Sequence, residues 1–161
     1  MIILAGLAGG LQKNIQTGDA YFISQVKDLN TGRYWESSVA PSPCILVSTT
    51  NIATTPESKH SLLQATGADL VDLESAAFAE AATEYGWNWA ITRGISDGPE
   101  DALPECIAEW TDESGHLKFA SIIRDITLGR STIPEMIRLR RNGSEALRAV
   151  ATIIRNWIVN R

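Results

Sequence analysis

Apolar residues along this chain gather in short runs closed by Gly, Pro and Ser, the pattern of buried strands roughly four to eight residues long. Such runs predict strands at Ile2 to Ala5, Ala20 to Val26, Cys44 to Ser48, Asp69 to Leu73 and Trp89 to Thr92. Between and after them the periodicity becomes helical. Over Ser75 to Tyr85, Phe78, Ala81, Ala82 and Tyr85 form one stripe, Glu80 and Glu84 face outward, and Gly86 supplies the stop. Further helices are predicted from His116 to Leu128, ending at Gly129, and from Ser144 to Val159. Ser144 is the N-cap of the latter, and Asn142-Gly143 breaks the segment before it. Strands alternating with helices indicate an α/β sandwich. One strand is out of place: Ile2 to Leu4 is apolar enough to need a neighbour on each side, yet it opens the chain.

Length and composition narrow the class. The 161 residues suit one domain, and 44% hydrophobic with 20% charged residues is a globular balance, unlike a disordered or repeat sequence. No apolar run approaches the ~18 residues of a membrane span, and no basic region precedes MIILAGLAGGL as a signal peptide would require. A cytoplasmic protein with no membrane partner is expected. Cys44 and Cys106 lie in no CxxC or Cys/His pattern and read as packed thiols, while His60 and His116 have no metal-ligand spacing, so no metal is expected. Charge is uneven: residues 1–113 hold 5 Lys+Arg against 16 Asp+Glu, and residues 114–161 hold 9 against 3. A basic tail could grip phosphates, but Arg148 and Arg155 fall on the polar side of a helix carrying Leu147, Val150, Ala151, Ile154 and Ile158 opposite. With no interleaved aromatics, that side is a solvated face, and nucleic acid is not an expected partner.

Three segments put glycines and polar residues where strands end, which is where ligands collect in open α/β sheets. Gly6-Leu7-Ala8-Gly9-Gly10 is neither GxGxxG nor a Walker loop; it is a tight turn or a backbone bare enough for a flat ligand to lie against. Asp72-Leu73-Glu74-Ser75-Ala76-Ala77 sets two acids at a strand-to-helix junction, where the helix dipole favours an ionised carboxylate. Glu74 there either caps the helix or accepts two hydrogen bonds from a vicinal diol. Arg93-Gly94-Ile95-Ser96-Asp97-Gly98-Pro99 closes a strand with an acid, forming an Asx turn or presenting Asp97 as a proton donor to a leaving group. Arg93 pairs with a nearby carboxylate and could orient Glu74 or Asp97. The acids from Glu100 to Glu113 read as a solvated loop that could act as a lid.

Taken together and in this order, the segments resemble the nucleoside phosphorylase superfamily, in particular its 5'-methylthioadenosine and S-adenosylhomocysteine nucleosidases and related purine nucleoside phosphorylases. Gly6 to Leu11 followed by Gly18-Asp19 is similar to the family's glycine-rich strand end and succeeding GD strand start. Cys44 to Ala53 is similar to the strand and loop over the base, Asp72 to Ala77 to the acidic-hydrophobic-Glu signature, and Arg93 to Asp97 to the Arg-small-Ile-Ser-Asp signature. The 23-residue separation of Glu74 and Asp97 suits the family, and the likeness spans about residues 2–128.

The resemblance implies a three-layer α/β/α sandwich with a mixed central sheet, incomplete at its N-terminus: a single partial domain over 1–161 with 132–161 as a C-terminal helical segment. It implies cleavage of the N-glycosidic bond of a purine nucleoside without a cofactor, in a homo-oligomer, with phosphate as an optional second substrate. Glu74 would bind ribose hydroxyls and stabilise the developing positive charge, and Asp97 would donate a proton or hydrogen bond to purine N7, supported by Ser96. Ala8 and Gly9 would line the base pocket, Asn51, Ile52 and Ala53 would cover the other ring face, and Asp72, Leu73 and Arg93 would complete the substrate site. Leu7 stands where the phosphorylases carry a phosphate-binding serine, so hydrolysis is expected over phosphorolysis. The alternative is a catalytically silent nucleoside-binding or assembly module, because the family's water-activating acid lies ahead of the strand that opens this chain.

Overall fold

A computed structural model describes residues 1–39, 41, 43–104, 107, 127–129 and 132–160. The apolar runs become strands β1 (Ile2–Gly10), β2 (Ala20–Phe22), β3 (Gln25–Asp28), β4 (Tyr34–Glu36), β5 (Ile45–Ser48), β6 (Leu70–Asp72) and β7 (Trp89–Asp97). They form one sheet in the order β2-β7-β1-β6-β5-β3-β4. It is mixed: β1/β7, β3/β5 and β5/β6 are parallel, whereas β1/β6, β2/β7 and β3/β4 are antiparallel. The described helices are α1 (Pro56–Thr66), α2 (Ser75–Glu84) and α3 (Ile133–Val159).

Strand alternation divides the core between the two faces of the sheet. Leu46, Leu70, Ile91 and Ile95 pack with Ala76, Ala79 and Ala82 of α2, while Val47 and Val71 pack with Leu62 and Leu63 of α1. Helix α3 lies opposite α2, so closely that a Cβ on Gly94 of β7 would strike the Ala146 carbonyl. The α/β/α arrangement with a mixed sheet is therefore present. None of the described helices is long and apolar enough to cross a membrane.

Several expectations need correction. Glycine-rich Gly6 to Gly10 is no turn: it continues β1, with none of these glycines at positive φ. The single strand expected over Ala20 to Val26 is two. Ile23 N–H bonds Ile91 O beside β2, and Ser24 N–H bonds Cys44 O beside β3, so two adjacent residues carry the chain between strands far apart in the sheet order. Helix α3 does not start at Ser144. Thr132 and Glu135 form a capping box, Pro134 fits the first turn, and the helix runs through Asn142-Gly143, with Gly143 buried against Leu7. On α2 the buried positions are Ser75, Ala76, Ala79 and Ala82, and Ala81 and Tyr85 are exposed. The helix predicted over His116 to Leu128 lies almost wholly outside the described residues, as do Cys106, His116 and most of the acidic loop; Gly129, its expected end, has φ of 70°.

The strand that opens the chain pairs unevenly. Ile2 to Ala8 all pair with β7, but β6 joins β1 only at Gly9 and Gly10.

Candidate functional site

Glu74 owes its position to what holds the residues around it. Directly after β6 it is the N-cap of α2, yet its side chain makes no capping bond and is 74% exposed. Asp72 does the capping instead: its Oδ1 accepts from Ser75 N–H at 3.2 Å and from the Ser48 hydroxyl at 2.6 Å. Its Oδ2 receives the Ser75 hydroxyl at 2.6 Å and the Arg93 guanidinium at 2.7 Å. Four donors thus converge on one buried carboxylate. The same guanidinium, 1% exposed, reaches Glu74 Oε2 at 3.4 Å. Arg93 can lie flat there because the residue beside it on β1 is Gly6, where any Cβ would collide with Nη1.

Asp97 is aimed by an irregularity in β7. Register runs evenly from Ile2/Trp89 to Ala8/Ile95 and then skips to Gly9/Asp97, leaving Ser96 as the extra residue of a bulge. The bulge sets Asp97 level with Gly9, where a Cβ would stand 3.0 Å from Asp97 Oδ2. The Ser96 hydroxyl donates to Asp97 Oδ1 at 2.6 Å. On the other oxygen, Lys59 Nζ lies 2.6 Å from Oδ2 as an ion pair out of hydrogen-bond alignment, and Oδ2 receives no donor among the described residues.

These pieces surround one cavity of about 230 Å³, lined by Leu7, Ala8, Gly9, Thr49, Ile52, Ala53, Val71, Asp72, Leu73, Glu74, Ser96, Asp97, Leu103 and Ile107. Glu74 and Asp97, 23 residues apart in the chain, share it. So do Ala8, Gly9, Ile52, Ala53, Asp72, Leu73 and Ser96. Arg93 lies behind the wall, and Asn51 does not line the cavity; its backbone oxygen accepts from the Thr49 hydroxyl at 2.7 Å. The charged lining residues are all acidic. Among the described residues no cluster of His, Cys, Asp or Glu could hold a metal ion; His60 pairs with Gln64 on the exposed side of α1.

Sequence reasoning missed four contributors. Thr49, within the Cys44 to Ala53 segment, and Leu103 and Ile107, within the acidic loop, line the cavity with nothing in the sequence to mark them individually. Lys59 had a signal: it precedes Leu62 and Leu63 by three and four residues, so it shares their inward helical face. Cys44, expected as a packed thiol, is buried, and burial foremost, then Asp69, pushes its thiol up to about 12.

Comparison with known proteins adds to this geometry. A family profile described as the phosphorylase superfamily matches residues 44–126. Three solved structures are similar in fold. Helicobacter pylori MTAN is 20% identical with a TM-score of 0.54, over 59% of this chain and 56% of that one. Helicobacter pylori 5'-methylthioadenosine/S-adenosyl homocysteine nucleosidase in complex with a pyrrolopyrimidine-bearing pyrrolidinol is 14% identical with a TM-score of 0.67, over 99% of this chain and 68% of that one. Futalosine hydrolase of Helicobacter pylori strain 26695 gives 14% and 0.67, over 99% and 67%. The chain thus spans 56 to 68% of the length of these structures. No curated protein sequence matches it.

Proposed function

The chain belongs to the phosphorylase superfamily, and on that premise we propose that it cleaves the N-glycosidic bond of purine nucleosides by hydrolysis. The observation that carries this reading is the meeting of Glu74 and Asp97 in one cavity beside the bare backbone of Gly9. Glu74, exposed and steadied from behind by Arg93, takes the ribose hydroxyls and faces the positive charge that builds on the sugar as the bond to the base lengthens. Asp97, held by Ser96, hydrogen-bonds the base at N7 as it departs. Ala8 and Gly9 lie along one ring face, Ile52 and Ala53 along the other, and Leu73 beside the sugar; Asn51 supports their loop. Asp72 serves through Arg93, since its own oxygens are occupied.

Hydrolysis is favoured over phosphorolysis by charge. A phosphate entering the cavity meets Asp72, Glu74 and Asp97 and no cation among the described lining residues, and Leu7 offers it no hydroxyl. The three nucleosidase-type neighbours in fold are consistent with that preference. One observation favours the silent binding module instead: with Asp72 saturated, Glu74 on the sugar and Asp97 on the base, no described carboxylate lining the cavity remains to activate water.

One assay separates these outcomes. Incubated with methylthioadenosine or adenosine, the chain should release free base at the same rate with and without phosphate. Binding without release would establish the module, and release only with phosphate would overturn hydrolysis. Asp97→Asn should slow turnover by about 10²- to 10⁴-fold, and Glu74→Gln should weaken both binding and turnover. Full activity in both variants would refute the site.

A further inference from the structure

Helix α3 carries more apolar surface than the sheet covers. Its inward side is built from Gly143, Ala146 and Val150, all buried. One step round the helix a second row follows its length at alternating spacings of four and three residues: Ile133, Ile137, Leu147, Ala151, Ile154 and Ile158, with Arg140 and Ser144 in the two middle places. Periodicity alone grouped Leu147, Ala151 and Ile158 with Val150. The structure seats Val150 on the sheet and leaves the other three outside. Ile133, Ile137, Leu147 and Ile158 are 60, 63, 47 and 59% exposed, and Ile154 is half-buried. Alternating fours and threes form the seam by which one helix packs lengthwise along another, and the slow drift of that seam round a straight helix makes the partner wrap rather than cross.

The borders of the seam identify its occupant. On the sheet side lie Gly143 and Val150, already covered. On the solvent side Arg141, Arg148 and Arg155 recur every seven residues, all exposed, and their guanidinium groups have no ion pair or hydrogen bond among the described residues. Glu145, one turn from Arg141 and from Arg148, pairs with neither. A second copy of this chain does not fit. Antiparallel seams would set the arginine row against itself, and parallel seams would set it against the positions that the sheet occupies. A membrane surface calls for a broad apolar face, whereas this row is a single residue wide and is interrupted by Arg140 and Ser144. We propose that α3 docks an acidic amphipathic helix of another protein, with apolar residues along the seam, carboxylates along the arginine row and one more opposite Arg140. The apolar row supplies the attraction, because exposed ion pairs contribute little, and the arginines choose the partner.

The probe is a four-heptad peptide with Leu at both seam positions of each heptad and Glu at the flanking ones, long enough to match the roughly 38 Å from Ile133 to Ile158. A second peptide carries Lys in place of Glu, and like charges keep each peptide from pairing with itself. Binding to the full chain is read by fluorescence anisotropy. The Glu peptide should bind at least about tenfold more tightly than the Lys peptide. Bulk charge works the other way, since a net charge of -5 would draw the Lys peptide. Leu147→Ser should weaken the Glu peptide by about tenfold, and Arg141→Glu, Arg148→Glu and Arg155→Glu combined should reverse the order of the two peptides. If the combined variant does not fold, the wild-type comparison decides alone. Equal affinity for the two peptides, preference for the Lys peptide, or no binding of either overturns the proposal. So does co-sedimentation with phosphatidylserine vesicles in place of peptide binding, which would assign the row to lipid, or a dimer in light scattering that Leu147→Ser dissolves, which would assign it to a second copy. None of these residues lines the cavity, so every outcome leaves the nucleoside reading where it stands.

Discussion

Arg93 shows how a single side chain ties fold stability to site geometry. It sits in the interior because two carboxylates and a hydroxyl meet it, and it holds Glu74 from below while the end of that side chain stays in solvent. Arg93→Met would leave Asp72 buried with its charge unbalanced, and we expect a loss of about 3–5 kcal/mol in denaturant unfolding. A variant as stable as the wild type would show that the ion pair contributes nothing. Cys44 gives a second test at this scale. With its thiol pushed up to about 12, it should resist thiol reagents at the usual free-thiol value of about 8.5 in a Cys106→Ser background and react only on unfolding. The sign follows: burying the neutral thiol contributes stability in full below 9.0, and this is lost as pH rises towards 12. Glu74, Asp97 and the glycines were legible only jointly, through the order and spacing that resemble the family's signatures; each alone reads as readily as a helix cap, an Asx turn or a tight turn, because Gly and Asp commonly close strands. Lys59 was not, because lysine normally reads as solvated, and only its spacing to Leu62 and Leu63 betrays an inward position.

Whole elements were legible where the pattern had a single reading. β5, β6 and α2 fall close to their expected bounds because apolar runs or a Gly86 stop at φ of 66° delimit them. Helix α1 escaped notice: its signals were Thr55, Pro56 and a left-handed Gly67, and its inward face begins with a lysine. The alanines of α2 carry little information about which face turns inward; Ser75, bonded to Asp72 and Arg93, settles the rotation. β4 is a three-residue edge strand, too short for any periodicity to show. Two tests belong here. Gly94→Ala would press a methyl against the backbone carbonyl of Ala146, which cannot swing aside as a side chain would, and should destabilise the protein by about 1–3 kcal/mol in thermal unfolding; a neutral result would mean that α3 is not seated there. At the other end of α3, the Thr132 backbone N–H, then its hydroxyl, holds Glu135 below the usual carboxylate range. That contribution is present above 4.5 and is lost as pH falls through the depressed value, so Glu135→Gln should cost stability near neutrality and progressively less below 4.5.

Across the molecule, the aim of Asp97 hangs from one strand. β7 pairs with β1 along almost its whole length and with β2 on its other edge, is covered by α2 on one face and α3 on the other, and ends in Asp97. An acid whose direction depends on a one-residue bulge needs a support that does not shift, because a small error in aim would remove it from the cavity. β4, at the far edge, pairs only with β3 among the described strands. Backbone amides open locally with free energies that follow such coverage. Hydrogen exchange under native conditions should therefore find the amides of Ala90 to Ile95 among the slowest of the chain, opening only with global unfolding, and those of Tyr34 to Glu36 among the fastest strand amides. Were β7 to exchange as readily as β4, the bulge at Ser96 would have no rigid base, and the aim of Asp97 could not come from the strand that carries it.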